Sequence, residues 1–168
     1  MNDNRRMLDN LKTDTASDVR EWALKMEQAL GKPEKAPEKA PPPERMPGPK
    51  RVLIIEDDRD MAGFLEDCLK SNRYHPATAF DGPSGLSMAD SFKPDLVVLD
   101  LLLPGIHGYD VLEALRKNPE SSSVKILIST AKIFEVDRRA AMRLGADAFL
   151  PKPYTVEDFL GWVSRLIG

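Results

Sequence analysis

Apolar and polar positions follow two alternating patterns from Arg51 to the end of the chain. Five short apolar runs are typical of buried strands, and they read RVLIIE, YHPATAF, DLVVLD, VKILIST and ADAFLPK. Longer amphipathic stretches separate them. Strands that alternate with helices in this way predict an α/β fold with a parallel sheet covered by helices on both faces.

The amphipathic stretches carry their apolar residues at helical spacing. In the first stretch, residues 59–72, one face is predicted to consist of Met61, Phe64, Leu65, Cys68 and Leu69. In the last stretch, residues 155–167, the corresponding face is predicted to consist of Val156, Phe159, Leu160, Val163 and Ile167. We expect both faces to pack on the sheet, and we expect Cys68 to be a core residue.

Proline content divides the chain into three segments, 1–31, 32–50 and 51–168. Seven of the 14 prolines lie in residues 32–50, KPEKAPEKAPPPERMPGPK, which predicts an extended linker rather than a helix or strand. A plain tether is favoured over a ligand for a proline-binding groove. Within residues 1–31, the stretch SDVREWALKMEQALG predicts a short amphipathic helix, which either docks on a partner surface or remains a frayed helix.

Composition and charge exclude several classes of protein. The net charge of −3 gives no indication of a nucleic-acid-binding surface. No stretch has the length and apolarity of a membrane span or a signal peptide. The single cysteine, Cys68, excludes an internal disulfide framework. These observations predict a cytoplasmic protein with no membrane partner and no direct nucleic-acid partner.

Charged and hydroxyl residues lie at the ends of the predicted strands. Glu56 and Asp57 follow the first strand, Asp100 the third, Thr130 ends the fourth, and Lys152 follows the fifth. Functional groups of open parallel sheets gather beyond the carboxyl ends of the strands. Carboxylates brought together there repel one another, and a Mg²⁺ ion with its preference for oxygen ligands relieves the repulsion. The set is suited to reversible phosphoryl transfer onto a carboxylate.

Taken together, these motifs resemble the receiver domain of two-component response regulators. The resemblance covers residues 51–168 and rests on VLIIEDD, LVVLDLLLPGIHGYDVL, ILISTAK and GADAFLPKPY. It implies a flavodoxin-like, doubly wound (βα)₅ fold with a five-stranded parallel sheet in the order 2-1-3-4-5. It further implies a phosphorylation-dependent signalling switch rather than an enzyme, one that catalyses only its own phosphorylation and dephosphorylation.

The resemblance also implies a role for each residue at the strand ends. Asp100 is expected to be the phosphoacceptor. Mg²⁺ is expected to be bound by Glu56, Asp57, Asp100 and the backbone carbonyl of Leu102. Thr130 and Lys152 are expected to contact the phosphoryl group, with the bond between Lys152 and Pro153 in the cis form.

Two further positions are implied to tune the switch. Phe149 matches the aromatic residue that moves with Thr130, although it lacks the hydroxyl of the tyrosine often found there. Leu102 is bulky and apolar where some relatives carry a polar residue, so we hypothesise slow hydrolysis of the phosphoryl group.

The partners implied by the resemblance are a histidine kinase or phosphotransfer protein as donor, and an unknown downstream protein. Because no recognisable output domain follows the receiver, we expect a single-domain regulator that acts through protein contact. The contact surface is expected on the last two helices and the last strand. A homodimer is a further possibility, formed either through that surface or through the helix within residues 1–31. An alternative is a degenerate receiver that serves as a phosphorylation-independent scaffold. A haloacid-dehalogenase-type phosphatase is disfavoured because Leu102 stands where a second Asp is expected.

Overall fold

Each of the five apolar runs forms a strand, and an α-helix follows every strand. The computed structural model describes residues 48–168, so the predictions for the helix within residues 1–31 and for most of the linker lie outside the described residues. The elements in chain order are β1 (Arg51–Ile55), α1 (Arg59–Ser71), β2 (His75–Ala79), α2 (Gly82–Phe92), β3 (Leu96–Leu99), α3 (Gly108–Lys117), β4 (Lys125–Thr130), α4 (Glu135–Arg143), β5 (Ala148–Pro151) and α5 (Val156–Ile167).

The sheet is parallel throughout and has the order β2-β1-β3-β4-β5, which confirms the prediction. β1 and β3 are neighbours, with Ile55 opposite Leu99. β4 and β5 are neighbours, with Thr130 opposite Pro151. The residues that follow Ile55, Leu99 and Pro151 therefore emerge at the same edge of the sheet, because parallel strands end on the same side.

Strands β1 and β3 form the centre of the core. Every residue of β3 and the last four residues of β1 are buried, as expected for strands covered by helices on both faces. On one face, α5 packs against them through Phe159, Val163 and Ile167. Within the described residues, no helix is long and apolar enough to cross a membrane.

The predicted buried face of α1 is wrong at one position. Ala62, Leu65 and Leu69 are the buried residues of α1, whereas the side chain of Phe64 is 51% exposed. Successive residues of an α-helix are about 100° apart, so Phe64 lies well round the helix from Leu65. Cys68 is half-buried rather than a fully buried core residue.

Candidate functional site

Three carboxylates meet beyond the ends of β1 and β3. One oxygen of Glu56, one of Asp57 and one of Asp100 all lie within 4.8 Å of one another. The backbone N–H of Asp100 donates to the carbonyl of Ile55 at 3.0 Å, which continues the pairing of the two strands into the site. Glu56 and Asp100 are buried, and Asp57 is exposed. The strand order thus places two of these acids where water does not fully solvate them.

Lys152 joins this cluster from the far side of β4. Its ammonium donates to Glu56 Oε2 at 2.6 Å and to Asp100 Oδ2 at 2.9 Å. The backbone N–H of Lys152 donates to the carbonyl of Thr130 at 2.8 Å, so the chain after β5 remains paired with β4. The peptide bond between Lys152 and Pro153 is cis, as the sequence predicts.

Burial and charge act against each other on these groups. Burial raises the pKa of the Glu56 carboxyl and outweighs the lowering caused by the Lys152 hydrogen bond, while the nearby Asp100 and Asp57 charges raise it further. Burial by itself lowers the pKa of the Lys152 ammonium, but its hydrogen bonds to Glu56 and Asp100 outweigh burial and raise it. Lys152 therefore stays charged and partly compensates the acids around it.

The donor set fits a hard divalent cation. Among the described residues, three carboxylates form the cluster and one ammonium, that of Lys152, contacts two of them, so the acids outnumber the cation. The ligand atoms of the cluster are oxygens, and one of the three acids is open to solvent. Mg²⁺ prefers oxygen ligands and keeps several of its waters, which suits a site that is buried on one side and open on the other.

Both oxygens of the Asp100 carboxylate are oriented by the protein. Oδ2 accepts from Lys152, and Oδ1 accepts from the backbone N–H of Leu102 at 2.8 Å. Leu102 comes two residues after Asp100, and its side chain is 48% exposed. Charge-assisted hydrogen bonds of this kind fix a carboxylate in one orientation.

Thr130 and Phe149 lie in the neighbouring strands β4 and β5, and among the described residues neither side chain has a hydrogen bond to the three carboxylates. Thr130 is fully buried at the end of β4, and its Oγ1 accepts from the backbone N–H of Lys132 at 3.3 Å. Phe149 lies in β5 opposite Ile128 and is half-buried. The sequence therefore identified the neighbourhood of both residues, and their predicted roles remain predictions.

Two residues that support the site, Gly108 and Tyr154, were not identified from the sequence. Gly108 begins α3, and a Cβ there would lie 2.4 Å from the carbonyl oxygen of Asp100 and 2.5 Å from the Cα of Leu101, so only glycine fits without a shift of backbone. The hydroxyls of Ser129 and Tyr154 lie 2.7 Å apart, which ties the chain just after Lys152 to β4. Gly108 could have been noticed in the sequence, because it is a glycine in the loop that follows β3 and Asp100.

Asp58, the third acid after β1, caps a helix. Its side chain accepts from the backbone N–H groups of Asp60 and Met61, both at 3.0 Å. These bonds satisfy two of the amides at the start of α1. Asp58 is therefore distinct in its contacts from Glu56 and Asp57.

Comparisons with known proteins agree with this fold. The family model for the response regulator receiver domain matches residues 52–163. The response regulator ArlR of Staphylococcus aureus is 38% identical over 117 residues, which is 70% of this chain and 52% of that protein. The chain therefore spans about half the length of the curated relatives it matches.

Solved structures give the same result. A putative response regulator from Chloroflexus aurantiacus is 30% identical, with a TM-score of 0.67 over 70% of this chain and 97% of that chain. The receiver domain of the sensor histidine kinase PA1611 from Pseudomonas aeruginosa, which has a magnesium ion coordinated in its active site cleft, is 25% identical, with a TM-score of 0.66 over 72% of this chain and 99% of that chain. The chain thus belongs to the response regulator receiver domain family, whose members accept phosphoryl groups in two-component signalling.

Proposed function

We propose that this receiver domain is a phosphorylation-dependent switch in which Asp100 accepts the phosphoryl group. The donor is the phosphohistidine of a histidine kinase or a phosphotransfer protein. The observation that carries the proposal is the arrangement of Asp100, whose two carboxylate oxygens are held by Lys152 and by the Leu102 amide. A carboxylate oriented in this way at the sheet edge is prepared to act as a nucleophile.

The transfer forms one bond and breaks one bond. An oxygen of Asp100 attacks phosphorus, and the bond between phosphorus and the donor imidazole nitrogen breaks. The electron pair stays on that nitrogen, which then takes up a proton. The product is an acyl phosphate, and attack by water on phosphorus later returns the carboxylate and inorganic phosphate.

Lys152 stabilises the charge that the phosphoryl oxygens carry during the transfer. It already contacts Asp100 at 2.9 Å, so it needs no long movement to reach a phosphoryl group on that residue. Glu56, Asp57, Asp100 and the Leu102 carbonyl are the groups we assign to Mg²⁺, which when bound supplies further charge neutralisation. The magnesium ion in the PA1611 receiver supports this assignment.

The response to phosphorylation is proposed to pass through Thr130 and Phe149. Thr130 turns its hydroxyl toward the phosphoryl group, and the half-buried Phe149 follows into the space it leaves. Thr130 lies in β4, which contacts α5, and Phe149 lies in β5, which contacts α4; these positions support the proposal.

The output surface is proposed to be α4, β5 and α5. Four large apolar side chains at and within α4 are exposed, and they are Ile133, Phe134, Val136 and Met142. Large exposed apolar side chains are candidates for contact with a protein partner where they form a continuous patch. The partner is a downstream protein or a second copy of this chain. The division of the chain into residues 1–31, the linker 32–50 and the receiver 51–168 is part of this proposal. We place this switch in the cytoplasm.

Incubation of the full chain with Mg²⁺ and acetyl phosphate tests the proposal. Intact-mass spectrometry is expected to show the gain of one phosphoryl group, which Asp100→Asn abolishes. Asp58→Asn is the matched control, because Asn also caps helices and Asp58 contacts only the start of α1. A mass that does not change in the wild-type chain would favour the phosphorylation-independent scaffold instead.

A further inference from the structure

A third buried carboxylate, in addition to Glu56 and Asp100, lies outside the acidic site, in the first turn of α4. Asp137 is 5% exposed, and its Oδ1 accepts from the hydroxyl of Tyr109 at 2.9 Å. The ammonium of Lys132 lies 3.8 Å from the same oxygen and 5.2 Å from the centre of the Tyr109 ring. We call these three residues the Tyr109–Asp137–Lys132 cluster. It connects the start of α3, the chain after β4 and the start of α4.

Lys132 is held more loosely than Lys152. Its 3.8 Å separation from Asp137 is too long for a hydrogen bond, whereas Lys152 contacts its two acids at 2.6 and 2.9 Å. Burial lowers the pKa of the Lys132 ammonium, and the charges of Asp137 and Asp100 both raise it. Lys132 therefore lies within electrostatic range of the acidic site as well as of Asp137.

Asp137 does not depend on Lys132 alone. The Tyr109 hydroxyl remains bonded to it, and a carboxylate in the first turn of a helix interacts favourably with the backbone amides there. Loss of the Lys132 charge therefore leaves Asp137 with two sources of stabilisation. The free-energy cost of separating the Lys132 ammonium from Asp137 is therefore small, and a more highly charged anion nearby can attract the ammonium away.

Lys132 is close in sequence to Thr130, the residue proposed to contact the phosphoryl group. It comes two residues after Thr130, and its backbone N–H donates to Thr130 Oγ1 at 3.3 Å. A phosphoryl group on Asp100 brings more negative charge to the site than the carboxylate carries, which increases the attraction on Lys132. Because Lys132 lies in the short segment that joins β4 to α4, a change of its ion-pair partner changes the charge beside the start of α4.

We propose that Asp137 is a positioning residue that holds Lys132 away from the phosphoryl site, and that Lys132 moves from Asp137 to a phosphoryl group on Asp100. This inference rests on the proposed function. In this proposal, phosphorylation of Asp100 is coupled to α4 by two routes. One is the exchange of ion-pair partners by Lys132, and the other is the movement of Thr130 and Phe149. The exchange also makes Lys132 a second cation for the phosphoryl group.

Beryllofluoride, a stable phosphoryl mimic, tests the exchange on the full chain in the presence of Mg²⁺. Its affinity is measured by fluorine NMR titration. Asp137→Asn is expected to raise the affinity by about three- to tenfold, because it releases Lys132, and Lys132→Met is expected to lower it by a similar factor. In the double variant the gain from Asp137→Asn disappears. A merely structural role of Asp137 would not raise the affinity.

Controls separate this inference from the proposed function. Lys117→Met removes the same charge from an exposed side chain of α3 and is expected to leave the affinity unchanged. Suppose that the wild-type chain binds beryllofluoride and that Asp100→Asn abolishes this binding, so that the proposed function stands. The exchange is then overturned if Asp137→Asn has no effect on the affinity, or if it gives the same gain in the Lys132→Met background. No binding by the wild-type chain overturns both.

A second pair of variants covers the case in which Asp137→Asn does not fold. Lys132→Arg keeps the positive charge, so it is expected to retain most of the affinity that Lys132→Met loses. Circular dichroism establishes that each variant is folded before titration. Equal affinities of the Met and Arg variants would overturn the role of Lys132.

Discussion

The Lys152 ammonium bridges Glu56 and Asp100, donating to Glu56 Oε2 at 2.6 Å and to Asp100 Oδ2 at 2.9 Å. These residues follow β5, β1 and β3, so one side chain joins the ends of three strands. All three side chains are at most 15% exposed, and their charges therefore interact through a medium less polar than water. The same ammonium serves the stability of the unphosphorylated domain and the proposed chemistry.

Removal of Lys152 is expected to lower stability as well as activity. Lys152→Met leaves two buried carboxylates facing each other, which costs about 2–4 kcal/mol in the free energy of unfolding. Added Mg²⁺ is expected to restore part of this loss, because it neutralises the same carboxylates. Urea denaturation with and without Mg²⁺ measures both effects. An unchanged free energy of unfolding in the metal-free variant would contradict the interpretation of the bridge.

Asp57 is expected to contribute to Mg²⁺ affinity without contributing much to folding. Its side chain is exposed, so Asp57→Asn should leave the unfolding transition nearly unchanged. Loss of one anionic ligand is expected to weaken Mg²⁺ binding by about tenfold or more. Isothermal titration calorimetry gives the affinity, and Asp58→Asn is the matched control. Equal affinities for the two variants would remove Asp57 from the site.

Leu102 is expected to protect the phosphoryl group from water. Its amide N–H donates to Asp100 Oδ1, and its apolar side chain is half-exposed. Leu102→Asn keeps the amide and offers a polar group to water, so the phosphoryl lifetime should shorten. The lifetime is followed by intact mass after removal of the donor. Phe64→Asn likewise replaces an exposed apolar side chain with Asn, and a lifetime that shortens equally there would count against the idea.

Gly108 is expected to be required for the position of the loop after β3. Gly108→Ala places a methyl group against the backbone of Asp100 and Leu101, and we expect it to destabilise the domain by about 1–3 kcal/mol. Gly161→Ala is the control, because nothing lies within 4 Å of the position that its added methyl group would take. The control should stabilise α5 by up to about 1 kcal/mol. Thermal or urea denaturation that gives the two variants the same stability would contradict this account.

Periodicity along the chain was sufficient to predict most of the fold. Alternating apolar runs and amphipathic stretches predict the strands and helices, and strand ends that carry Glu56, Asp100 and Lys152 predict where the site lies. The order of the strands came from the family resemblance, since apolar patterns alone do not state which strands are neighbours. Phe64 was predicted wrongly because a helical face read from spacing is wider than the arc that packing buries.

The contacts that the sequence could not predict depend on how separate elements pack. Asp137 is buried where Tyr109 of α3 packs against α4, and no local pattern distinguishes it from Glu135, the exposed acid of the same helix. The bridge from Lys152 to two acids depends in the same way on the positions of three strands. Residue types predicted the chemistry of the site, and only the three-dimensional structure showed which partners each group has.

Chemical mapping of the modified residue tests the central claim most directly. After phosphorylation with acetyl phosphate and Mg²⁺, borohydride reduces an aspartyl phosphate to homoserine, and tandem mass spectrometry then locates that residue. The account predicts homoserine at position 100 and at no other acidic position. Homoserine at Asp57 or Asp58, or its complete absence from a chain that binds Mg²⁺, would contradict it.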